Sequence, residues 1–331
     1  MEKEFLHKFY SLDIAETLKE CHHSKKGKLN PYHLEDNCLT HTLMVFHEAN
    51  KIQTDREEEK KILLFSALFH DVGKPFVKEE KNGKTFFTGH EFLSGLIALD
   101  YADEFGLTKE EKEKAVLSIL YHTIAHSDNE SVRYFPFYSL LKKLELADSR
   151  GRITEIESKE LPLLDPLEKN FIHNPEKELI ILFGLVGSGK STYINNHLSE
   201  YFVLSRDNLV DEFAEKENIS YTEAYSLIHS DKRLKEKINN DFQRKIKKAK
   251  NYNKVVVDMT MLTKKQRRVM INNFPKHIPN IKIFLTSYNE LIKRNENRPG
   301  KDLSYLIPEL PKITTMPTYE EGFNQIEFIF N

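Results

Sequence analysis

Gly184-Leu185-Val186-Gly187-Ser188-Gly189-Lys190-Ser191-Thr192 limits what this chain can fold into more than any other stretch. It follows a strand-like apolar run, Leu179 to Phe183, and leads into a helix-like one. That context turns G-x-x-x-x-G-K-[ST] into a phosphate-binding loop. A strand must end, a glycine-rich backbone must close on an anion, and a helix must begin with its N–H groups facing that anion. ATP or another nucleoside triphosphate, with Mg²⁺, is expected there. Gly187, Ser188, Gly189, Lys190, Ser191 and Thr192 form the cradle, Lys190 reaches the outer phosphates, and the Ser191 hydroxyl holds Mg²⁺. Without that chemistry the same stretch is a flexible glycine turn.

A chain of 331 residues exceeds one ordinary core and points to about two domains. Its 39% hydrophobic and 30% charged residues are those of a soluble globular protein. A net charge of -2 gives no global attraction to nucleic acid, so any such surface is local. Met1 to Phe5 has no apolar signal core, and no stretch approaches the roughly 18 apolar residues of a membrane span. The expectation is a cytoplasmic protein with no membrane partner. Cys21 and Cys38 lack any framework or zinc-type pairing and read as free thiols.

From Glu4 to about Arg152 apolar residues recur at three- and four-residue spacing. This predicts helices over Leu39–Lys51, Glu57–Phe69, His90–Phe105, Lys109–His122 and Phe137–Asp148, with Ile62 to Phe69 apolar all round and therefore central. His41, His70-Asp71, His90, His122 and Asp148 fall at or near the ends of these segments, several directly after apolar runs. One such histidine alone is ordinarily a core or surface residue. The whole series, with Phe69-His70-Asp71-Val72-Gly73-Lys74-Pro75 at its centre, resembles the HD phosphohydrolase superfamily over nearly all of the first 150 residues.

That resemblance implies a metal-dependent phosphohydrolase in which His41, His70, Asp71 and Asp148 hold one metal and Asp71 bridges to a second on His90 and His122. Imidazole and carboxylate ligands suit two divalent transition ions, Mn, Fe, Co, Ni or Zn, which can activate water and neutralise a phosphoryl group. Lys74 is either a catalytic contact to the substrate phosphate or a solvated lysine. His126, one helical turn past His122, is a ligand or phosphate contact outside the core set. The approach Asn30 to Asp36, with Thr40-His41-Thr42-Leu43, is also similar to HD domains of tRNA-processing nucleotidyltransferases, which leans toward RNA.

Between Arg152 and Glu178 the periodicity lapses and Pro162, Pro166 and Pro175 recur, as in a linker with short helical pieces at most. The expected organisation is an all-α HD-domain helical bundle over 1–157, a linker over 158–176, and an α/β P-loop kinase with a parallel sheet over 177–331. Strands are expected at Leu179–Phe183, Phe202–Ser205, Val255–Asp258 and Lys282–Leu285, with helices between.

Ser205-Arg206-Asp207 after the second strand puts a carboxylate at the phosphate-loop edge of the sheet. Asp207 is either the general base for an incoming hydroxyl or a helix N-cap. Asp258 ends the third strand within reach of the Mg²⁺ shell, and Thr263 with Gln266 forms a capping box. Arg294 and Arg298, one turn apart, either clamp the donor phosphates or sit on a solvated face. This order resembles phage-type polynucleotide 5′-kinases over most of Leu179 to Leu306, which implies that Asp207 activates a 5′-hydroxyl while Lys190, Ser191, Arg294 and Arg298 bind ATP and Mg²⁺. It departs from them at Val210, where those enzymes carry an acceptor-gripping arginine.

An HD phosphohydrolase joined to such a kinase is similar to the HD-Pnk family of RNA-end-healing enzymes. The resemblance implies RNA ends, or DNA ends, as substrate and a polynucleotide ligase as the partner that seals them. Two other readings keep parts of this scheme. One pairs an HD nucleotide phosphohydrolase with a small-metabolite or nucleoside kinase; the other is a non-catalytic, nucleotide-gated sensor. The basic stretch Asp231 to Lys250 favours nucleic acid over a metabolite, but its interspersed acidic residues also fit a solvated helix face.

Overall fold

Ile62 to Phe69 has no helical face that can meet water, and each of these residues is buried. A computed structural model of the chain describes residues 1–24, 30–127, 129–155, 164–299 and 302–331. They form two units. One holds Met1–Lys169, Ser287–Asn289 and Pro308–Met316; the other holds Asn170–Thr286, Glu290–Ile307 and Pro317–Asn331.

The first unit is helical: α1 (Glu2–Tyr10), α2 (Asp13–Glu20), α3 (Cys38–Lys51), α4 (Glu57–Phe69), α5 (Lys74–Val77), α6 (His90–Tyr101), α7 (Lys109–Ala125) and α8 (Tyr138–Arg150). Helix α4 lies at its centre and packs against α3, α6, α7 and α8. Local signals start these helices: Asn37 accepts from Thr40 N before α3, and Thr108 with Glu111 makes a capping box before α7. Cys21 and Cys38 are both free and buried.

The chain departs from the periodicity in three places. Helix α6 stops at Tyr101 rather than Phe105, because Phe105 leaves the helix to pack edge-on against Phe5 and Phe69. Helix α7 runs on to Ala125, so His122 lies inside it. The third is an antiparallel hairpin, β1 (Glu79–Lys81) and β2 (Lys84–Phe86), between α5 and α6. Its turn is Asn82-Gly83, both at positive φ, a strong hairpin signal that the helical reading passed over. At Gly89, just before α6, φ is +78°, and an added Cβ would come within 1.8 Å of Pro311 O, so the Pro308–Met316 segment seats directly on this glycine.

The second unit is a five-stranded parallel sheet in the order β4-β5-β3-β6-β7, with β3 (Glu178–Phe183), β4 (Phe202–Ser205), β5 (Lys254–Asp258), β6 (Ile278–Leu285) and β7 (Gln325–Phe330). Its helices are α9 (Lys190–His197), α10 (Asp207–Glu217), α11 (Tyr221–Ser230), α12 (Lys232–Ala249), α13 (Lys264–Asn273) and α14 (Tyr288–Glu296), the last beginning on residues grouped with the first unit. The central strand β3 is buried from Leu179 to Phe183, as its unbroken apolar run requires.

Strand β6 begins four residues before the expected Lys282, because Pro279-Asn280 reads as a turn but pairs in register with Leu179-Ile180. Strand β7 was not expected. Residues 164–176 carry neither helix nor strand, whereas Pro162 and the rest of 156–163 lie outside the described residues. Among the described residues no helix is long and apolar enough to cross a membrane. Helix α12 turns Ile238, Phe242, Ile246 and Ala249 inward, and its basic residues lie on the other side.

One buried charge fastens the loop that follows β5. Arg267 is 0% exposed; its Nε and Nη2 donate to Glu321 at 2.8 and 2.7 Å, and its Nη1 donates to Met261 O and Leu262 O at 3.1 and 3.0 Å. Removing one partner of such a pair leaves an uncompensated buried charge, so Glu321→Ala is expected to lower unfolding free energy by about 3–5 kcal/mol. Denaturant unfolding of the variant checks this, and an unchanged midpoint would show that water reaches the guanidinium.

Candidate metal centre and nucleotide site

Asp71 follows α4 by one residue and is 1% exposed at the centre of the first unit. Four imidazoles face it. His41 Nε2 and His70 Nε2 stand 3.5 and 3.3 Å from Oδ2; His90 Nε2 and His122 Nε2 stand 3.1 and 3.8 Å from Oδ1. Asp71 thus belongs to two ligand-like groups, with His41 and His70 on one side and with His90 and His122 on the other. Asp148, from α8, joins the first through a 3.1 Å approach to His41 Nε2.

The far sides of these rings decide what the near sides present. Nδ1 of His70, His90 and His122 contacts the carbonyl oxygens of Ala67, Phe87 and Ile119 at 2.8, 2.8 and 2.7 Å. Nδ1 of His41 faces Gly151 O at 3.1 Å and Glu35 Oε1 at 3.2 Å. A carbonyl can only accept, so in each neutral ring Nδ1 carries the proton and Nε2 offers a lone pair. Those lone pairs meet head to head, His41 against His70 at 3.4 Å and His90 against His122 at 3.3 Å.

Both Asp71 oxygens and Asp148 Oδ1 are buried with no hydrogen-bond partner among the described residues. Lys74 Nζ lies 2.6 Å from Asp71 Oδ2 as an ion pair without hydrogen-bond alignment. Buried lone pairs and carboxylates gathered in this way need cations between them. The donor set fits divalent metal ions, and His41, His70, Asp71, His90, His122 and Asp148 are the residues present to hold them.

With side chains alone to neutralise it, the site leans on protons. Burial would raise the Asp71 carboxyl, but the charges of His70 and Lys74 outweigh it and hold it well below the usual range. Burial would lower His41, yet Asp148 and Glu35 raise it to about 8. His122, buried beside His90 and His70, is pushed well below normal. Lys74 is 6% exposed, so it is no solvated lysine; burial works against its charge, and Asp71 more than restores it.

The residues that support the ligands were harder to foresee. His126 Nε2 lies 2.6 Å from Asp148 Oδ2 and its Nδ1 lies 3.3 Å from Glu145. It therefore holds Asp148 by the oxygen that His41 does not face, and Arg152 adds a contact at 3.3 Å to Oδ1. Glu35 fixes His41 from behind and is itself held by His33 Nδ1 at 2.6 Å and Ile153 N at 3.1 Å. His23, His33 and Glu35 also lie close enough for a cation, but the two rings stack 4.3 Å apart with planes 6° from parallel. Lone pairs in parallel planes do not converge on one ion.

In the second unit the phosphate loop runs from β3 to α9, with Gly184, Gly187 and Gly189 at φ +152°, +80° and +90°. Gly187 is the tightest: a Cβ would stand 2.5 Å from Asn295 Nδ2, which donates to Val186 O at 3.0 Å. Lys190 is buried and donates to Gly184 O at 2.9 Å and Leu185 O at 2.7 Å. Burial lowers it to about 8, against the pull of Asp258 and Asp207.

Sheet register brings the other groups to the same edge. Ser205 pairs with Asp258 across β4 and β5, and Asp258 Oδ2 accepts from Ser191 Oγ at 3.0 Å, so Ser191 and Asp258 are the pair present to hold Mg²⁺. Asp207 is the first residue of α10, whose N-cap is Arg206, and Asn208 N is met by Ser205 Oγ at 3.4 Å. Asp207 thus lies one residue past the N-cap position, as the acidic residue of the first turn.

A cavity of about 760 Å³ opens on all of these, lined by Gly187 to Thr192 of the loop, Asp207, Asp258, Arg294 and Arg298. Arg294 is tethered by Glu290 at 2.8 Å. Thr263 caps α13 with Gln266 as its spacing suggested, and Val210 is buried. Asn331, which also lines the cavity and donates to Ser188 O at 2.8 Å, had no sequence signal.

A family model described as an HD domain matches residues 38–149, and one described as an AAA domain matches residues 179–308. No curated protein matches the chain. Among solved structures, a candidate kinase from Chloroflexus aurantiacus J-10-fl is 13% identical, covering 47% of this chain and 85% of that one with a TM-score of 0.33, too low to argue from. The first match falls on the helical unit and the second on the parallel-sheet unit that carries the phosphate loop.

Because Asp71 faces both imidazole pairs, its removal is expected to lower metal content most. Asp71→Ala should lose about two equivalents, and His90→Ala or His122→Ala mainly one. His126→Ala, which frees Asp148 without deleting a ligand, should weaken metal affinity by about 10–100-fold while stoichiometry at saturating metal is kept. Elemental analysis and metal titration of the purified variants read this out. Full metal retention in Asp71→Ala would refute the bridging role.

Proposed function

We propose that this chain heals broken polynucleotide ends: one domain phosphorylates 5′-hydroxyls with ATP, and the other removes 3′-phosphates and opens 2′,3′-cyclic phosphates. Asp207 carries the kinase half. It stands at the phosphate-loop cavity as the first residue of α10, one past the N-cap position. A carboxylate so placed takes the proton from an acceptor hydroxyl as that oxygen attacks the terminal phosphorus and the nucleoside diphosphate departs. Lys190, Arg294 and Arg298 meet the negative charge of the donor phosphates from the loop and from α14 and its continuation. Ser191 and Asp258 would hold Mg²⁺, which neutralises the transferring group.

In the HD domain, metal ions on His41, His70, Asp71 and Asp148 and on Asp71, His90 and His122 would supply an activated water and a phosphate anchor. The protein contributes the rest. Backbone carbonyls lock the four imidazole tautomers, His126 and Arg152 hold Asp148, and Glu35 holds His41. Lys74 places a positive charge beside the bridging carboxylate, where it acts on a substrate phosphate oxygen.

The order of the phosphate loop, Arg206-Asp207 and Arg294 to Arg298 after an HD series supports polynucleotide ends over small metabolites. Ribonucleases that use the 2′-hydroxyl leave a cyclic phosphate and a 5′-hydroxyl, neither of which a ligase can join. RNA ends so produced, or the corresponding DNA ends, are the substrate class, and a polynucleotide ligase is the enzyme that consumes the product.

The test is an oligonucleotide bearing 5′-hydroxyl and 3′-phosphate ends, incubated with ATP and resolved at both ends. Lys190→Ala or Asp207→Ala should reduce 5′ phosphorylation by about 10²–10⁴-fold and leave 3′ dephosphorylation intact, while Asp71→Ala should do the reverse. Phosphorylation of free nucleosides but not of the oligonucleotide would replace this reading with a small-molecule kinase.

A further inference from the structure

Beyond Asp207 the second unit has a separate cavity of about 430 Å³, lined by Tyr221, Tyr225 and His229 of α11 and by Tyr305 and Leu303. Its walls are ring faces. Tyr225 and His229 pack at 4.0 Å between centroids, Tyr221 and Tyr225 lie stacked at 6.2 Å, and Tyr305 is 59% exposed. Rings grouped in this way offer faces on which another planar group can stack.

The cavity adjoins the phosphoryl-transfer site: Tyr221 lines it and stands within electrostatic reach of Asp207, so that burial and this carboxylate together raise the tyrosine hydroxyl. Arg206, next to Asp207, is held by Asn239 at 2.8 Å. Planar, mostly apolar walls that share Tyr221 with the surroundings of Asp207 match one kind of occupant: a nucleotide whose base stacks and whose hydroxyl reaches Asp207.

We infer that the Tyr221–Tyr225–Tyr305 cavity seats the 5′-terminal nucleobase of the acceptor strand. This rests on the polynucleotide-kinase reading above. Stacking is indifferent to base identity because every base offers a π-face, so the site accepts all acceptor sequences. Tyr221 is a positioning residue: its hydroxyl sets the Asp207 carboxylate while its ring closes the cavity.

The experiment compares acceptors with a normal and an abasic 5′-terminal nucleotide, under saturating ATP, in the full-length protein and in Tyr305→Ala, Tyr225→Ala and the two Tyr→Phe variants. On the normal acceptor each alanine variant should raise KM by about 10-fold, each phenylalanine variant should stay near the parent, and KM for ATP should not move. On the abasic acceptor the parent protein should show the raised KM already, and the alanine variants should add nothing. Equal losses on both acceptors, or no loss in any variant, would overturn the stacking assignment while leaving the kinase reading in place. A parent protein that phosphorylates no oligonucleotide would remove both.

Discussion

A carboxylate buried in the middle of a helical bundle is the constraint on which the first unit depends. Asp71 cannot carry its charge at 1% exposure without compensation, and the helices around it are arranged to supply that compensation from every side. Helices α3, α6 and α7 each bring an imidazole, α4 ends one residue before the aspartate, and α8 adds a second carboxylate that deepens the negative charge. Lys74, His126 and Arg152 offset that charge, yet both Asp71 oxygens and Asp148 Oδ1 still lack a hydrogen bond among the described residues. Cations would complete the core, which couples metal binding to the packing of α3, α6, α7 and α8.

The second unit meets the opposite need. Its loop collects donors, Lys190 and successive backbone N–H groups, for an anion that is absent from the fold itself. Lys190 fills the interval by donating to the loop's own carbonyls, and burial has already loosened its proton. The parallel sheet determines where the acidic groups fall: Ser205 and Asp258 are register partners, so Asp258 and, two residues past Ser205, Asp207 arrive at neighbouring strand ends. The Arg267–Glu321 pair then fastens the turn just past Asp258.

Residues whose chemistry depends on their own segment were legible. The phosphate loop, the Thr263 capping box, α4 and the strands at Phe202 and Val255 each follow from contiguous pattern. The histidine and aspartate series was legible as a list, and its convergence only as a resemblance. Residues that act across the fold were not: Glu35 on Ile153 and Asn331 on Ser188 are 118 and 143 positions from their partners, a separation that no local pattern encodes. Strand β7 carried its own signal in the β-branched and aromatic run Ile326-Glu327-Phe328-Ile329-Phe330, which the sequence reading passed over. The Asn82-Gly83 hairpin signal was present and lost among helices.

Val210 shows how a local substitution moves a function elsewhere in the fold. Where phage-type kinases carry an arginine that grips the acceptor, this chain has a buried valine on α10. A lost guanidinium there removes one phosphate contact, which an aromatic surface can replace without adding charge. Helix α11 supplies that surface within one turn, because Tyr221 and Tyr225 lie four residues apart on a helix whose capping box at Ser220 and Glu223 sets its start. On the proposed reading the acceptor is then held by α11, the helix after the one that carries Asp207. Tyr221, which lines the aromatic cavity and stands near Asp207, is where base seating and carboxylate placement meet.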